Sequence, residues 1–287
     1  MAAGTRAARL AAEQRLRQAT RSARAAVRAR RSGAGALPDF LVIGGMRCGT
    51  TSLFAYLADH PQVEPAIGKE LQYFSVFHDK GERWYRSHFP TPRDHGQTFE
   101  ASPYYLYHPL TASRVAATLP DGRFIALLRD PVERAYSHYT HSVERGVEKL
   151  SFRDAVAAEP ARLEPFWSGD PTSRAAHFAL RNYSYVSRGR YAEQLARWYD
   201  HFAAEQLLVI KSESLYADPQ ATYARCLEFL GLPAHEPTRF AVHTRPKPLM
   251  ADQRRAAEPT MRELRRSFAP LNEQVGQLLG WNETWPL

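Results

Sequence analysis

The stretch FLVIGGMRCGTTSLFAYL, residues 40–57, decides the fold of this chain. Its first six residues are an apolar run that predicts a buried strand, and a helix is predicted from about Thr51 to Asp59. The turn between them holds three glycines, which let a ligand approach the backbone, and three donor side chains. These are Gly44, Gly45 and Gly49, with Arg47, Thr50 and Thr51. Because backbone N–H groups and the positive helix end point the same way here, the stretch predicts an anion-binding loop.

The loop departs from the nucleotide triphosphate motif at one position. The spacing GxxxxGK[ST] fits from Gly44 to Gly49, but Thr50 stands where the motif has lysine. This disfavours a nucleotide triphosphatase. It favours a cofactor with a 5′-phosphate that is handled without a bound metal. A merely structural turn remains the alternative from this loop alone.

The formal charge of +8 resides in the N-terminal segment. Residues 1–36 contain nine arginines and one acid, Glu13, so taking them from 38 basic and 30 acidic residues leaves 29 of each. The remaining chain is therefore formally neutral, and we expect no nucleic-acid partner. Five of the arginines are spaced 4, 3, 4, 3 along one helical face: Arg17, Arg21, Arg24, Arg28 and Arg31. We interpret this extension as solvated; a basic helix with weak contact to an acidic surface and an organellar transit peptide are the alternatives.

Composition indicates a globular protein with few cysteines. Hydrophobic residues make up 44% of the chain, and no apolar run approaches the roughly 20 residues needed to cross a membrane. Cys48 and Cys226 are far apart, so we expect reduced thiols and a cytoplasmic location. No CxxC or HExxH spacing occurs, and no metal site is predicted.

Apolar strands alternate with helical patterns along the rest of the chain. Further strands are predicted at 123–130 (RFIALLRD) and 206–215 (QLLVIKSESL), with helices in PVERAYSHYTHSVERG, RYAEQLARWYDHF and DPQATYARCLEFLGL. This order predicts an α/β fold with a P-loop-like central parallel sheet flanked by helices on both faces. We expect a single domain over residues 37–287. Residues 160–187 are the least regular stretch and are interpreted as an excursion or substrate loop.

Two other stretches carry candidate site residues. In LLRDPVERAYSHY, Arg129 ends a strand and Ser137 lies about two helical turns on, so a guanidinium and a hydroxyl suit a second phosphate group. In GKELQYF, Lys69 and Glu70 follow a loop-like stretch. Catalytic residues are often placed on such loops.

In this order, the motifs resemble the sulfotransferases that use 3′-phosphoadenosine 5′-phosphosulfate (PAPS), above all the heparan-sulfate type and its bacterial relatives. The similar pieces are spread over most of residues 40–280. They are GGMRCGTTSLFAYLADHPQV, KELQYF, KGERWYRSHFP, EASPYYLYHP, FIALLRDPVERAYSHYTH, SRGRYAEQLARW and a C-terminal LLG. Each piece is weak alone, but the combination is specific.

The resemblance implies a role for each matching position. It implies Glu70 as the catalytic base and Arg47 as a catalytic cation beside the cofactor. The residues that would bind PAPS, or its product adenosine 3′,5′-bisphosphate, form three groups. They are Arg47, Cys48, Gly49, Thr50, Thr51 and Ser52 around the 5′-phosphosulfate, Arg129 and Ser137 at the 3′-phosphate, and Ser187, Arg188, Gly189 and Tyr191 closing on the cofactor.

Three positions depart from the heparan enzymes. Arg47 stands where those enzymes commonly have lysine, Ala101 lies in a stretch where they have lysine, and Gln72 replaces a histidine of some members. The first change keeps the charge, whereas the other two disfavour a heparan-like acceptor.

Together these features predict transfer of a sulfuryl group from PAPS to a hydroxyl, or alternatively an amine, of a carbohydrate, a glycolipid or another small acceptor. The chemistry rests on positioning and charge stabilisation and requires no metal. A P-loop kinase and a non-enzymatic polyanion-binding protein acting through the basic tail are the competing interpretations.

Overall fold

A computed structural model describes residues 35–90, 96–238, 240 and 251–285. It contains five strands: β1 Phe40–Gly44, β2 Val63–Pro65, β3 Gln97–Ala101, β4 Arg123–Leu128 and β5 Leu207–Lys211. The helices, in chain order, are α1 Thr50–Ala58, α2 Gly81–Arg86, α3 Thr111–Thr118, α4 Pro131–Glu144, α5 Phe152–Trp167, α6 Arg174–Asn182, α7 Tyr191–Tyr199, α8 Ser212–Ala217, α9 Pro219–Leu230 and α10 Ala251–Leu279. The described chain divides into two compact units, a sheet unit within 35–128 and 198–240 and a helical unit within 129–197 and 251–285.

The sheet unit is built on one parallel sheet in the order β2-β3-β1-β4-β5. β1 is central and buried along its whole length, which explains its unbroken apolar sequence. On one face, Ile125 belongs to a core cluster that includes Leu53 of α1 and Leu227 of α9. The neighbouring Phe124 packs its ring against Phe202 at a centroid distance of 4.5 Å. Since successive strand residues point to opposite faces, both faces of the sheet are covered. The predicted fold class is confirmed.

The helical unit is held by its own core and by capping residues. Asp130 accepts hydrogen bonds from the N–H groups of Val132 (2.8 Å) and Glu133 (2.9 Å) and so begins α4. Tyr136 of α4, Phe152 of α5 and Phe268 of α10 belong to one buried apolar cluster. Glu159 of α5 accepts hydrogen bonds from the N–H groups of Val186 and Ser187 at 2.6 and 2.7 Å. These last bonds fix the short 3₁₀ turn Ser187–Gly189.

Two sequence-based predictions were wrong. The strand predicted at 206–215 ends at Lys211, and helix α8 begins at Ser212. The Ser212 hydroxyl donates to the Cys48 carbonyl at 2.7 Å, which diverts the chain from the sheet toward the loop after β1. Residues 160–187 are largely helical, because Ser151 and Ser173 cap α5 and α6. Pro160 and Pro165 lie inside α5, and because proline is unfavourable within a helix, the sequence there did not indicate one.

Residues 1–34 of the basic N-terminal segment lie outside the described residues, so its boundary at residue 36 and its helical face stay predictions. Among the described residues, no helix is both long and apolar enough to cross a membrane. A cytoplasmic location likewise stays a prediction.

A buried carboxylate positions the loop that follows β2. Glu100 of β3 is fully buried and accepts hydrogen bonds from the Tyr105 hydroxyl (2.6 Å), the Ser102 hydroxyl (2.7 Å), the Tyr85 hydroxyl (2.9 Å) and the Leu71 N–H (3.2 Å). Burial raises the pKa of Glu100, and these four hydrogen bonds partly offset the rise. Glu100 therefore joins β3, α2 and the segment at Leu71 through one side chain.

We expect the substitution Glu100→Ala to destabilise the protein by several kcal/mol, since each buried donor left without an acceptor costs about 1–3 kcal/mol. Urea unfolding of the whole chain would measure this loss. Glu82→Ala is the matched control, because the Glu82 side chain is 48% exposed and only pairs with Arg86 at the surface. The control should change stability by less than about 1 kcal/mol. Equal stability of the two variants would contradict the structural role of Glu100.

Candidate functional site

The loop between β1 and α1 has the backbone of an anion site, but its glycines serve packing within the protein. A Cβ atom on Gly44 would lie 2.6 Å from Cβ of Leu106, and one on Gly45 would lie 3.0 Å from Sγ of Cys48. Gly49 has φ +90° and precedes α1 directly. Arg47 also has positive φ, at 69°. The loop therefore reverses sharply at the start of α1, where an α-helix leaves its first N–H groups without intrahelical partners.

The loop side chains differ in their exposure. Cys48 is fully buried in the core cluster of the sheet unit, in agreement with its interpretation as a small side chain in a tight loop. Thr50 and Ser52 are each 4% exposed, whereas Thr51 is exposed and Arg47 is half-buried. Cys226 is also buried, and burial raises the pKa of its thiol to about 12. Neither thiol has the exposure that a reactive cysteine needs.

The structure places the proposed base, Glu70, close to this loop. The Lys69 ammonium lies 3.3 Å from Oγ1 of Thr50 and 3.4 Å from Oε1 of Glu70. The Gln72 amide donates to Oε2 of Glu70 at 3.3 Å. The Glu70 side chain is 43% exposed, so its carboxylate is oriented by two neighbours and still accessible to solvent. Thr50 and Glu70, predicted separately, are thus joined through Lys69.

The backbone around Glu70 is fixed in a conformation that the sequence does not reveal. Glu70 and Gln72 have positive φ angles of 63° and 57°, uncommon for residues other than glycine. The Glu70 N–H donates to the Ala101 carbonyl at 3.0 Å, and the Gln72 N–H donates to the Ser102 hydroxyl at 3.1 Å. Left-handed backbone in non-glycine residues tends to occur at functional sites, where the surroundings hold it in place.

In the helical unit, Arg129 belongs to a cluster of guanidinium groups at the start of α4. Nη2 of Arg129 lies 3.9 Å from Glu133, which also pairs with Arg254 at 2.6 Å and Arg265 at 3.4 Å. Burial alone would raise the pKa of Glu133, but the hydrogen bond from Arg254 and the three positive charges hold it below its usual value. Glu133 therefore faces three guanidinium groups, of which Arg265 also pairs with Glu258 at 3.1 Å, and guanidinium groups are suited to binding a phosphate group.

The remaining predicted residues also lie in the helical unit. The Tyr191 hydroxyl donates to the Arg129 carbonyl at 2.8 Å, so these two predicted residues are brought together. Ser137 is half-buried on α4. Arg188 is only 3% exposed and donates to the Ser184 hydroxyl and the Leu180 carbonyl at 2.7 and 2.9 Å. A Cβ atom on Gly189 would lie 2.7 Å from the ring of Phe268. Arg188 and Gly189 thus have packing roles, and their part in cofactor binding stays a prediction.

Most of the aromatic side chains that follow β2 and β3 are buried. The aromatic residues Tyr73, Phe74, Tyr104 and Tyr105 are buried and belong to the core, whereas Trp167 is 43% exposed. Helices α5 and α6 line an open groove of about 690 Å³ with Phe166, Phe178 and Arg174 among its walls. Among the described residues, no cluster of three or more His, Cys, Asp or Glu side chains is arranged for a metal ion.

Sequence reasoning missed part of this arrangement. Arg254 and Arg265 lie more than 120 residues from Glu133, so only the folded chain reveals their contact with it. Glu100 gave no signal as a positioning residue, because a buried carboxylate within a strand has no distinguishing spacing. Lys69 was visible beside Glu70, but its contact with Thr50 was not.

Comparison with known proteins identifies the fold. The structure matches the crystal structure of a sulfotransferase from Alicyclobacillus acidocaldarius with a TM-score of 0.69 at 30% identity, covering 86% of this chain and 98% of that one. Human heparan sulfate glucosamine 3-O-sulfotransferase 3B1 is 32% identical over 206 residues, which are 70% of this chain and 48% of the relative. A Caenorhabditis briggsae bifunctional heparan sulfate N-deacetylase/N-sulfotransferase 1 is 31% identical over 218 residues, or 74% of this chain and 24% of the relative.

This chain therefore spans about half the length of the first relative and about a quarter of the second. The family model described as "Sulfotransferase domain" matches residues 37–253. With this match over most of its length and the agreement with the bacterial structure, the chain belongs to the sulfotransferase family.

Proposed function

We propose that this protein transfers a sulfuryl group from PAPS to a hydroxyl of a carbohydrate or a similar small acceptor. One observation carries the proposal: the accessible carboxylate of Glu70 is linked through Lys69 to Thr50, the first residue of α1. This contact supports the assignment of Glu70 as a base beside a helix N-terminus that is suited to a phosphosulfate. The sulfotransferase names of the relatives support the reaction type.

Each unit offers residues suited to one phosphate group of PAPS. The loop after β1, with Arg47, Thr50 and the start of α1, offers donors to the 5′-phosphosulfate. The arginine cluster around Glu133, which includes Arg129, offers guanidinium donors to the 3′-phosphate. When bound, PAPS supplies an activated sulfuryl group on a phosphate leaving group.

In this mechanism Glu70 accepts the proton of the acceptor hydroxyl as its oxygen forms a bond to sulfur. The bond between sulfur and the bridging phosphate oxygen breaks, and its electron pair stays on that oxygen. Arg47 and the N–H groups at the start of α1 stabilise the charge that develops there. These steps need only positioning and charge stabilisation, so we propose that the reaction proceeds without a metal ion.

The acceptor is proposed at the level of its chemical class. The names of the relatives specify a glucosamine 3-O-sulfotransferase and an N-sulfotransferase, so both hydroxyl and amine acceptors occur among similar proteins. We propose a hydroxyl, with an amine as the alternative. Gln72 contacts Glu70 directly, and Ala101 binds the Glu70 N–H through its carbonyl. The two departures from the heparan enzymes therefore lie next to the base, which favours a different acceptor.

Calorimetric titration tests the cofactor class. We expect the purified protein, without added magnesium, to bind adenosine 3′,5′-bisphosphate at least tenfold more tightly than AMP or ATP, because the arginine cluster contributes only when a 3′-phosphate is present. ATP is then titrated again with magnesium. A preference for ATP that appears only with magnesium would overturn the proposal and support a P-loop kinase.

Replacing the base separates chemistry from binding. We expect Glu70→Gln to lower turnover of PAPS by at least a hundredfold, since general-base catalysis typically contributes 10²–10⁴-fold. The affinity for adenosine 3′,5′-bisphosphate should stay within about threefold, because glutamine keeps the size of the side chain. The rate is measured with radiolabelled PAPS and a panel of sugar acceptors, with the surface variant Glu82→Gln as control. Normal turnover by Glu70→Gln would exclude Glu70 as the base.

A further inference from the structure

The lysine absent from the loop after β1 has a counterpart on the neighbouring segment. Thr50 occupies the position at which the triphosphate motif has lysine, and the ammonium of Lys69 lies 3.3 Å from Oγ1 of Thr50. The Lys69 side chain is 19% exposed, so its charge is largely enclosed at this point. An ammonium group is therefore present at the start of α1 although the motif itself supplies none.

The backbone that follows Lys69 is held in a defined conformation. The next three residues are each fixed by a backbone hydrogen bond to β3 or to the residue after it: Glu70 to the Ala101 carbonyl, Leu71 to Glu100 and Gln72 to the Ser102 hydroxyl. Glu70 and Gln72 also have left-handed backbone conformations, which these hydrogen bonds hold in place. The stem of Lys69 thus starts from a rigid point, and its terminal charge is preorganised near the loop.

We propose that Lys69 is a second cation, beside Arg47, that binds the 5′-phosphosulfate where the triphosphate motif would supply a lysine; this rests on the function proposed above. Lysine is a compact charge on a flexible stem, so its ammonium can turn from Glu70 to an anion bound at Thr50 without any change of the backbone. Lys69 then neutralises the bridging phosphate oxygen as the bond to sulfur breaks and its electron pair stays on that oxygen. The same movement removes a positive charge from Oε1 of Glu70, which is left to accept the acceptor proton.

A second role for Lys69 would be to orient Glu70 alone, and the two roles predict different binding. A residue that acts only through the base lowers the rate but leaves the affinity for the cofactor product unchanged. A residue that contacts the 5′-phosphate lowers that affinity, and only for ligands that carry this group. The decisive ligands are therefore adenosine 3′,5′-bisphosphate and adenosine 3′-monophosphate, each titrated without acceptor.

We expect Lys69→Ala to lower the affinity for adenosine 3′,5′-bisphosphate by about tenfold to a hundredfold. This is the usual range for the loss of one charge-assisted hydrogen bond. Adenosine 3′-monophosphate, which lacks the 5′-phosphate, should bind within about twofold of its wild-type affinity. Lys69→Arg keeps the charge and should retain more affinity for the bisphosphate than Lys69→Ala does. Affinities are measured by calorimetry, with displacement titration for the weaker ligand.

Two further variants complete the design. Lys80→Ala removes an exposed lysine eleven residues further on and should change neither affinity. Arg129→Ala should lower the affinity for both ligands, because both carry the 3′-phosphate. Unfolding curves establish that each variant is folded before it is titrated.

The outcomes separate this inference from the proposed function. Unchanged bisphosphate affinity in a folded Lys69→Ala variant would overturn the role of Lys69, even if turnover falls. Equal weakening of both ligands by Lys69→Ala would also overturn it, since the loss would then not depend on the 5′-phosphate. If the wild-type protein does not bind the bisphosphate, the proposed function and the role of Lys69 are overturned together.

Discussion

The candidate site depends on one buried carboxylate, Glu100. Four donors surround it, and they come from α2, the residues after β3 and the segment at Leu71. A fully buried carboxylate is costly unless it is hydrogen-bonded, so these donors and Glu100 require one another. The segment that carries Lys69 and Glu70 is held through this group, which touches neither the loop nor the base. The geometry of the proposed reaction is therefore set from within the sheet unit.

The loop after β1 shows how a familiar sequence pattern can have more than one physical cause. Its glycines predict close approach by a ligand, yet Leu106 and Cys48 leave no room for a Cβ at Gly44 and Gly45. Packing within the protein would thus favour these glycines even if the loop bound no ligand. The stronger indication of a binding site is what lies beside the loop: a lysine, an oriented carboxylate and residues in left-handed conformations. Those features are contacts in the folded chain, which the spacing of residues in the sequence does not reveal.

The sequence predicted the parts of the fold that local periodicity controls. The strand and helix at 40–58, the strand beginning at Arg123 and the helices at α4, α7 and α9 follow from apolar runs, capping residues and proline at a first helical position. The short strands β2 and β3 were not predicted, because β2 has three residues and β3 contains a glutamate. The helix α5 was obscured by its internal prolines, and Ser212 ended β5 through a contact 164 residues away. Each miss comes from a tertiary contact or a local exception that periodicity does not encode.

The order of the motifs predicted which residues belong to the candidate site, but it did not predict which of them contact one another. Glu70, Thr50 and Arg129 were selected from the sequence, whereas the three arginines that share Glu133 come together only in the folded chain. An anion site requires positive charge at a location in space, and several positions in a chain can deliver it. Here the loop has threonine where the triphosphate motif has lysine, and the segment beside β3 brings Lys69 to that threonine. Because Lys69 also contacts Glu70, the same side chain links the start of α1 with the proposed base, and the charge that would bind the cofactor is coupled to the group that would receive the proton.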